Sequence, residues 1–240
     1  FERRGQLTGE GFEGSGADWL DLYKPYINEG TNIIVTAPHK LYGPENNDLI
    51  LQKLSKSYHG QVVFSDLSLA LSPGNAYCLM APSGTGKTTL FRILMGLETP
   101  DSGTIDGLKN LKISAVFQED RLLGFMNPVD NIRLPEPKLE RAVILREMAA
   151  MGLTGCENQP VRELSGGMRR RVAILRALLC GADVIALDEP FKGLDEATRA
   201  RVIAETKRLC RGKTVLMVTH EAAEAERMGA KIVGLLDSKG

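Results

Sequence analysis

Hydrophobic and polar positions alternate along the first strongly patterned stretch of the chain. Leu67, Leu69 and Leu71 alternate with serine and alanine, which is the period-two pattern of a half-buried strand. Apolar runs at 62–64 and 77–80 also favour strands, and the second run leads directly into a glycine-rich loop. The pattern therefore predicts a small sheet followed by a strand–loop–helix unit.

Uninterrupted apolar runs farther along the chain predict buried strands at 113–117, 184–187 and 214–219. Between 128 and 164 the apolar residues have helical spacing. We expect a core face made by Leu139, Val143, Ile144, Met148 and Met151. A further helix is predicted after Ser165, which is a good N-cap residue.

Composition and charge narrow the class of protein. The 240 residues are 43% hydrophobic, which is ample for a packed interior, and no apolar run approaches the roughly 20 residues of a membrane-spanning helix. Lysine plus arginine and aspartate plus glutamate number 30 each, so no net charge recruits nucleic acid or an anionic membrane. Arg169, Arg170 and Arg171 are accordingly expected on a solvated or interface face of their helix. Any membrane role would come through a partner.

The four cysteines Cys78, Cys156, Cys180 and Cys210 are widely spaced, which predicts buried thiols and favours a reducing compartment.

Residues 1–48 are rich in glycine and are predicted to be a tail or linker. The alternative is that they belong to a fused or larger polypeptide, such as the cytoplasmic tail of a permease.

The glycine-rich loop from 81 to 89 has the sequence Ala-Pro-Ser-Gly-Thr-Gly-Lys-Thr-Thr. It matches the phosphate-binding P-loop pattern except at Ala81, where glycine is usual. Such a loop brings backbone N–H groups and a helix N-terminus to phosphate oxygens. We expect Lys87 to neutralise the β- and γ-phosphates and Thr88 to coordinate Mg2+. The predicted nucleotide-binding residues of the loop are Ser83, Gly84, Thr85, Gly86, Lys87, Thr88 and Thr89.

The buried strand at 184–187 ends in Asp188 and Glu189. Asp188 is predicted to hold Mg2+, and Glu189 is predicted to be the general base that activates water for attack on the γ-phosphorus. The structural alternative is a carboxylate pair at the start of a helix. An apolar run that stops at two carboxylates argues against that alternative.

Ser165, Gly166 and Gly167 lie between these two motifs in chain order. They offer a hydroxyl and accessible amides at a helix N-terminus, which suits a γ-phosphate. In this order the three motifs resemble the nucleotide-binding subunit of an ATP-binding cassette (ABC) transporter, over residues 49–240. The resemblance implies that this loop binds ATP held by the opposite subunit. Met168 departs from the family pattern, in which glutamine is usual.

The resemblance implies roles for further residues. Tyr58 would stack on adenine, Gln118 would contact Mg2+ and the attacking water, and His220 would bond the γ-phosphate. Asp195 lies in a segment that resembles the dimer-contact loop, and its side chain is also suited to cap the next helix. Residues 119–123 are similar to those of importers of the nitrate, sulfonate and taurine type.

The implied fold is α/β: a P-loop NTPase core with a mainly parallel sheet, a small antiparallel β-subdomain and an inserted helical subdomain at about 119–180. The implied function is ATP hydrolysis that energises import of a small solute, with ATP and Mg2+ as cofactors. The implied partners are a second ABC ATPase subunit, in a homodimer, a transmembrane permease and an extracytoplasmic solute-binding protein. Such a subunit works at the cytoplasmic face of the membrane.

Two alternatives remain open within the same resemblance. One is a non-transport ABC ATPase of DNA repair or translation, although the stretch from Thr88 to Ser165 leaves no room for the long coiled coil of the repair type. The other is a nucleotide-binding subunit with weak hydrolysis, which only Ala81 and Met168 suggest. A simple P-loop kinase gives no reason for the loop at Ser165.

Overall fold

The computed structural model describes residues 49–80, 86–108 and 111–234. The predicted tail at 1–48 and the loop residues Ser83, Gly84 and Thr85 lie outside these ranges.

An antiparallel sheet opens the described chain. It consists of β1 (Leu49–Tyr58), β2 (Gln61–Leu71) and β4 (Ser102–Asp106) in the order β2-β1-β4. A tight turn at His59 and Gly60 joins the first two strands, and both residues have positive φ, as two-residue hairpin turns of this kind require. The apolar run predicted at 62–64 and the alternating stretch predicted at 67–71 both belong to the single strand β2.

Bulges explain why strict alternation fails along β2. Phe64 and Leu67 are both buried although they are three residues apart. The register between β1 and β2 shifts between them, and Asp66 has a φ of 54°. The extra residue of the bulge turns both side chains to the same face.

A parallel sheet forms the centre of the fold. Its strands are β3 (Ala76–Met80), β5 (Ile113–Val116), β6 (Val184–Asp188), β7 (Thr214–Val218) and β8 (Lys231–Gly234), in the order β5-β6-β7-β3-β8. Every residue of β5, β6 and β7 is buried, which is why their sequences are uninterrupted apolar runs. The predicted α/β fold with a mainly parallel sheet and a small antiparallel sheet is confirmed.

The helices are α1 (Lys87–Leu94), α2 (Pro128–Arg133), α3 (Arg141–Ala150), α4 (Gly166–Leu178), α5 (Glu196–Leu209) and α6 (Ala222–Met228), with a 3-10 turn at Val161–Glu163. Between β5 and β6 the chain forms α2, α3 and α4. Ile144, Met148 and Met151 are fully buried there, as predicted, whereas Leu139 and Val143 are half-buried. The subdomain boundaries at about 119–180 stay a prediction. No helix within the described ranges is long and apolar enough to cross a membrane.

Two hydrophobic clusters lie on opposite faces of the parallel sheet. Along β6, Val184 and Ala186 pack with α1 and the antiparallel sheet, whereas Ile185 and Leu187 pack with the helices from α2 to α6. This alternation is the period-two geometry of a strand that is covered on both faces. All four cysteines are buried free thiols, as predicted.

The prediction that Arg170 lies on a solvated or interface face is wrong. Arg170 is 5% exposed, and Arg169 and Arg171 on the same helix are half-buried. The physical reason is that the Arg170 guanidinium donates hydrogen bonds to backbone carbonyls at the ends of β5 and β6. These acceptors repay the cost of removing the charge from water.

Candidate active site

The carboxyl ends of four neighbouring strands lie at the same end of the parallel sheet. Lys87 begins α1 after β3, Gln118 follows β5, Asp188 ends β6, and His220 follows β7. Because adjacent parallel strands end together, the residues that follow them lie at the same end of the sheet, where open α/β sheets bind ligands. The residues selected from separate sequence motifs therefore share one edge of the sheet.

The glycine-rich loop at 81–89, called the phosphate loop from here on, enters α1 after Gly86. This residue has a φ of 81°, and a Cβ atom built on it would lie 2.1 Å from Cγ1 of Val63 in β2. Glycine is thus required both by the backbone conformation and by the close approach of the antiparallel sheet. Lys87 follows and is 7% exposed. The first turn of α1 has no acidic residue, so nothing there opposes an anion at the helix N-terminus.

Thr88 and Asp188 meet in a contact suited to a hard cation. The Thr88 hydroxyl donates to Oδ2 of Asp188 at 2.7 Å. Asp188 is 4% exposed, and burial raises the pKa of its carboxyl group, while the bond from Thr88 acts in the opposite direction. A hydroxyl and a carboxylate oxygen are ligands that Mg2+ accepts, together with water and substrate phosphates.

Within the described ranges, the candidate metal ligands in contact at this site are Thr88 and Asp188. The described ranges contain no group of three or more histidine, cysteine, aspartate or glutamate side chains that could hold a metal ion. The Thr88 hydroxyl and the Asp188 carboxylate fit Mg2+, which usually binds through one or two carboxylates plus phosphate oxygens. Gln118 is exposed at the end of β5, and its contact with Mg2+ and water stays a prediction.

Glu189 has both carboxylate oxygens engaged by cationic or imidazole nitrogens. Its Oε1 lies 3.0 Å from Nε2 of His220, and its Oε2 accepts a hydrogen bond from Nζ of Lys192 at 2.6 Å. The bond from Lys192 is the main cause that lowers the pKa of Glu189, against the opposing effect of burial. The carboxyl group is therefore ionised at neutral pH, as a general base must be.

Tyr58 is held by two neighbouring side chains. Its hydroxyl donates a hydrogen bond to Glu98, and Nζ of Lys56 lies 5.1 Å from the centre of its ring. Burial and the bond to Glu98 raise the pKa of the Tyr58 hydroxyl. The residue is nevertheless 39% exposed. Stacking on adenine stays a prediction.

Ser165 and Asp195 stand at the starts of two helices. Ser165 Oγ accepts a hydrogen bond from the Met168 amide at 3.2 Å, and Asp195 Oδ1 accepts one from the Thr198 amide at 3.0 Å. The predicted N-caps are confirmed. Ser165, Gly166 and Asp195 are exposed, Gly167 is half-buried, and their contacts with nucleotide stay predictions.

The sequence analysis missed three side chains beside these residues. Lys192 holds Glu189, Glu98 holds Tyr58, and Arg170 binds the backbone of the Asp188–Pro190 turn. Only Lys192 had a local signal, because a lysine three residues after a glutamate can reach it around a turn. The other two contacts join segments that are distant in sequence.

Comparison of the sequence with known proteins identifies the family of the chain. The family model described as ABC transporter matches residues 64–192, more than half of the chain. The aliphatic sulfonates import ATP-binding protein SsuB 1 of Rhodococcus jostii is 41% identical over 201 residues, which cover 79% of this chain and 79% of that protein. The spermidine/putrescine import ATP-binding protein PotA of Mesoplasma florum is 38% identical, over 79% of this chain and 59% of its own length. The chain thus spans less than two thirds of that second relative.

A solved structure shares the fold. The dimeric post-hydrolysis state of the ATP-binding cassette MJ0796, bound to ADP and Pi, superposes with a TM-score of 0.70 at 28% sequence identity. The match covers 78% of this chain and 93% of that chain.

Proposed function

Because the chain belongs to the ABC transporter family, as an ATP-hydrolysing subunit of importer type, we propose that it energises solute uptake with the residues grouped around Glu189. The observation that supports this most directly is the meeting of Thr88, Asp188, Glu189 and His220 at one edge of the parallel sheet. This arrangement combines a site for Mg2+ and phosphate with an ionised base.

The reaction is the attack of a water oxygen on the γ-phosphorus of ATP. Lys87 and the amides of the phosphate loop bind the β- and γ-phosphates, and Glu189 accepts the proton of the attacking water. The bond from the γ-phosphorus to the bridging oxygen breaks, so the products are ADP and phosphate. His220 and Gln118 orient the water. Thr88 and Asp188 would hold Mg2+, which would neutralise charge on the phosphate oxygens.

The partners follow from the family and from Ser165. In this proposal two copies of the chain form a homodimer, and Ser165, Gly166, Gly167 and Asp195 act across the interface on the partner's ATP. The dimer works at the cytoplasmic face of a membrane, bound to a permease. An extracytoplasmic binding protein delivers the solute.

The solute is not selected by this chain. The two relatives named above are import proteins for solutes of opposite charge, because aliphatic sulfonates are anions and spermidine and putrescine are cations. Proteins about equally similar to this chain therefore serve chemically unrelated solutes. We assign selection to the permease and the solute-binding protein.

The chemical part of the proposal is tested with Glu189→Gln. The amide keeps the size of the side chain but cannot accept the proton, so phosphate release should fall by about 10²–10⁴-fold while ATP binding, measured by calorimetry, persists. Glu226→Gln, on an exposed position of α6, is the matched control and should hydrolyse ATP normally. Hydrolysis by Glu189→Gln near the wild-type rate would remove Glu189 as the base.

The transport part is tested with the membrane partner. The permease is identified after purification of the tagged chain from detergent-solubilised membranes, and both are reconstituted in liposomes with candidate solutes. Uptake should require ATP and should stop with Glu189→Gln. ATP hydrolysis without any solute movement through the purified partner would contradict the importer role and leave the ATPase assignment intact.

A further inference from the structure

Arg170 makes a set of contacts that its sequence context does not suggest. It lies on α4, five residues after Ser165, and its side chain is almost fully buried. The Nε atom donates to the Pro190 carbonyl at 2.9 Å, and Nη2 donates to the carbonyls of Asp188 and Glu189, each at 2.7 Å. Nη1 donates to the carbonyls of Phe117 and Gln118 and to Oδ1 of Asp120.

These acceptors lie where the backbone of two adjacent parallel strands ends. The carbonyls of Phe117 and Gln118 follow β5, and the carbonyls of Asp188, Glu189 and Pro190 end β6 and form the turn after it. A buried carbonyl without a hydrogen bond is costly, and the sheet ladder no longer supplies donors past the strand ends. A guanidinium group has five N–H donors in a rigid planar fork. One arginine can therefore fix both strand ends in a single geometry.

The turn that Arg170 binds is strained at Glu189. Glu189 has a φ of 44°, in the left-handed region that non-glycine residues seldom occupy. Such a conformation is unfavourable and persists only where neighbouring contacts enforce it. Here the Glu189 amide donates to the Val218 carbonyl at 2.9 Å, and its carbonyl accepts from Arg170. The arginine is thus one of the contacts that keep the turn in this conformation.

We propose that Arg170 is a positioning residue for ATP hydrolysis. It holds the Asp188–Pro190 turn and the end of β5 at a fixed distance from the helix that begins at Ser165. Glu189 and Gln118 then keep the placement that the attack on the γ-phosphorus requires. The same contacts connect the loop that acts on the partner's ATP with the base that acts on the chain's own ATP. This inference rests on the function proposed above.

The first test separates turnover from binding. In the full chain, Arg170→Ala should lower kcat by about 10²-fold, because a displacement of about 1 Å at the reacting groups has an effect of that size. The dissociation constant of ATP should stay unchanged, since no contact of Arg170 lies on the phosphate loop within the described ranges. Thermal unfolding of each variant gives the folded fraction, to which kcat is normalised.

Arg176→Ala is the matched control. Arg176 is also buried on α4, at 2% exposure. Among the described residues it donates to the carbonyls of Asp120 and Arg121 and makes no hydrogen bond to the turn after β6. Its loss should lower stability in a similar way but reduce kcat much less. If Arg170→Ala does not fold, Arg170→Lys replaces it. That variant keeps a cation but loses the planar fork, so it should also have a reduced kcat.

The second test is chemical rescue. Millimolar guanidinium ion should enter the cavity left by Arg170→Ala and restore part of kcat, whereas methylammonium, which lacks the planar fork, should not. A wild-type kcat in folded Arg170→Ala, or an equal loss of kcat in Arg176→Ala without rescue by guanidinium, would overturn the inference. Glu189→Gln is assayed in parallel. If Glu189→Gln is inactive while Arg170→Ala is fully active, only the role of Arg170 fails, whereas an active Glu189→Gln refutes the proposed site itself.

Discussion

At the scale of single residues, Glu189 illustrates how contacts around one side chain set its chemistry. Its carboxylate is held between Lys192 and His220, and the hydrogen bond from Lys192 is the main cause of its lowered pKa. Other charges near this carboxylate are Lys87, which also lowers the pKa, and the carboxylate of Asp188 on the preceding residue. A base held in this way stays ionised at neutral pH but needs an oxygen lone pair accessible to water.

Lys192→Met should make the free energy of unfolding less dependent on pH. A carboxyl group with a lowered pKa stabilises the folded state above its ordinary value of 4.5, and this contribution disappears as the pH falls through the lowered value. At pH 7 the variant should therefore be less stable than wild type, by less than about 1 kcal/mol because Lys192 is largely exposed. Below the lowered pKa the difference should vanish.

The measurement is denaturant unfolding of the nucleotide-free chain between neutral and acid pH. Lys192→Arg, which keeps a cation within reach, is the control and should follow the wild-type curve. A stability deficit of Lys192→Met that is the same at neutral and acid pH would show that the lysine acts through packing, without ionic contact to Glu189.

The candidate site residues that the sequence predicts are those with a local signal. Asp188 and Glu189 end an apolar run, and Lys87 and Thr88 close a glycine-rich loop, so chain order alone placed them at strand ends and a helix start. The contact partners of these residues could not be predicted in the same way. Arg170 is a clear example, because the hydrogen-bond acceptors of its side chain belong to residues 18 to 53 positions away in the chain.

At the scale of elements, local rules predicted where helices begin but not how strands pair. The N-caps Ser165 and Asp195 follow from hydrogen bonds within four residues, which sequence determines directly. The single strand β2 was predicted as separate runs because its bulge at Asp66 breaks the period of two. A bulge depends on pairing with β1, which no short stretch of sequence specifies.

Asp195→Ala should destabilise the chain by about 1 kcal/mol, within the range of about 0.5–2 kcal/mol for loss of an N-cap. The Asp195 carboxylate accepts from the Thr198 amide at the start of α5, and alanine leaves that donor without its cap. Asp195→Asn is the matched control, because asparagine caps about as well as aspartate. Unfolding by urea should rank the variants as wild type, then Asn, then Ala, and an equal loss for both substitutions would contradict a capping role.

At the scale of the whole molecule, direct contacts join only part of the proposed site. Thr88 contacts Asp188 and Glu189 contacts His220, whereas the Ser165 hydroxyl accepts a hydrogen bond from the Met168 amide of its own helix. An exposed helix start with two glycines is therefore available to a second molecule. A solved cassette of the same fold is dimeric, which is consistent with a site completed by a partner.

A mixture of two inactive variants should recover activity if Ser165 acts on the partner's ATP. Ser165→Arg places a bulky cation at the start of α4 and should block dimer closure, while a single chain still folds and binds ATP. Lys87→Ala removes the cation that we propose to bind the phosphates, and it should weaken ATP binding itself. Each variant alone should have a reduced rate of ATP hydrolysis. Loss of one transition-state donor typically lowers that rate by about 10²–10³-fold.

In a heterodimer of these variants, one of the two sites combines an intact phosphate loop from one chain with an intact Ser165 loop from the other. Steady-state phosphate release is measured for each variant and for the mixture, at concentrations that permit dimers or with the permease present. Recovery on mixing requires that the two loops come from different chains, because no chain in the mixture has both. Full activity of Ser165→Arg alone would rule out the action of Ser165 across the dimer. Differential tagging shows independently whether the heterodimer forms. If it forms and the mixture stays inactive, the two sites do not work separately, and hydrolysis requires both sites of the dimer to be intact.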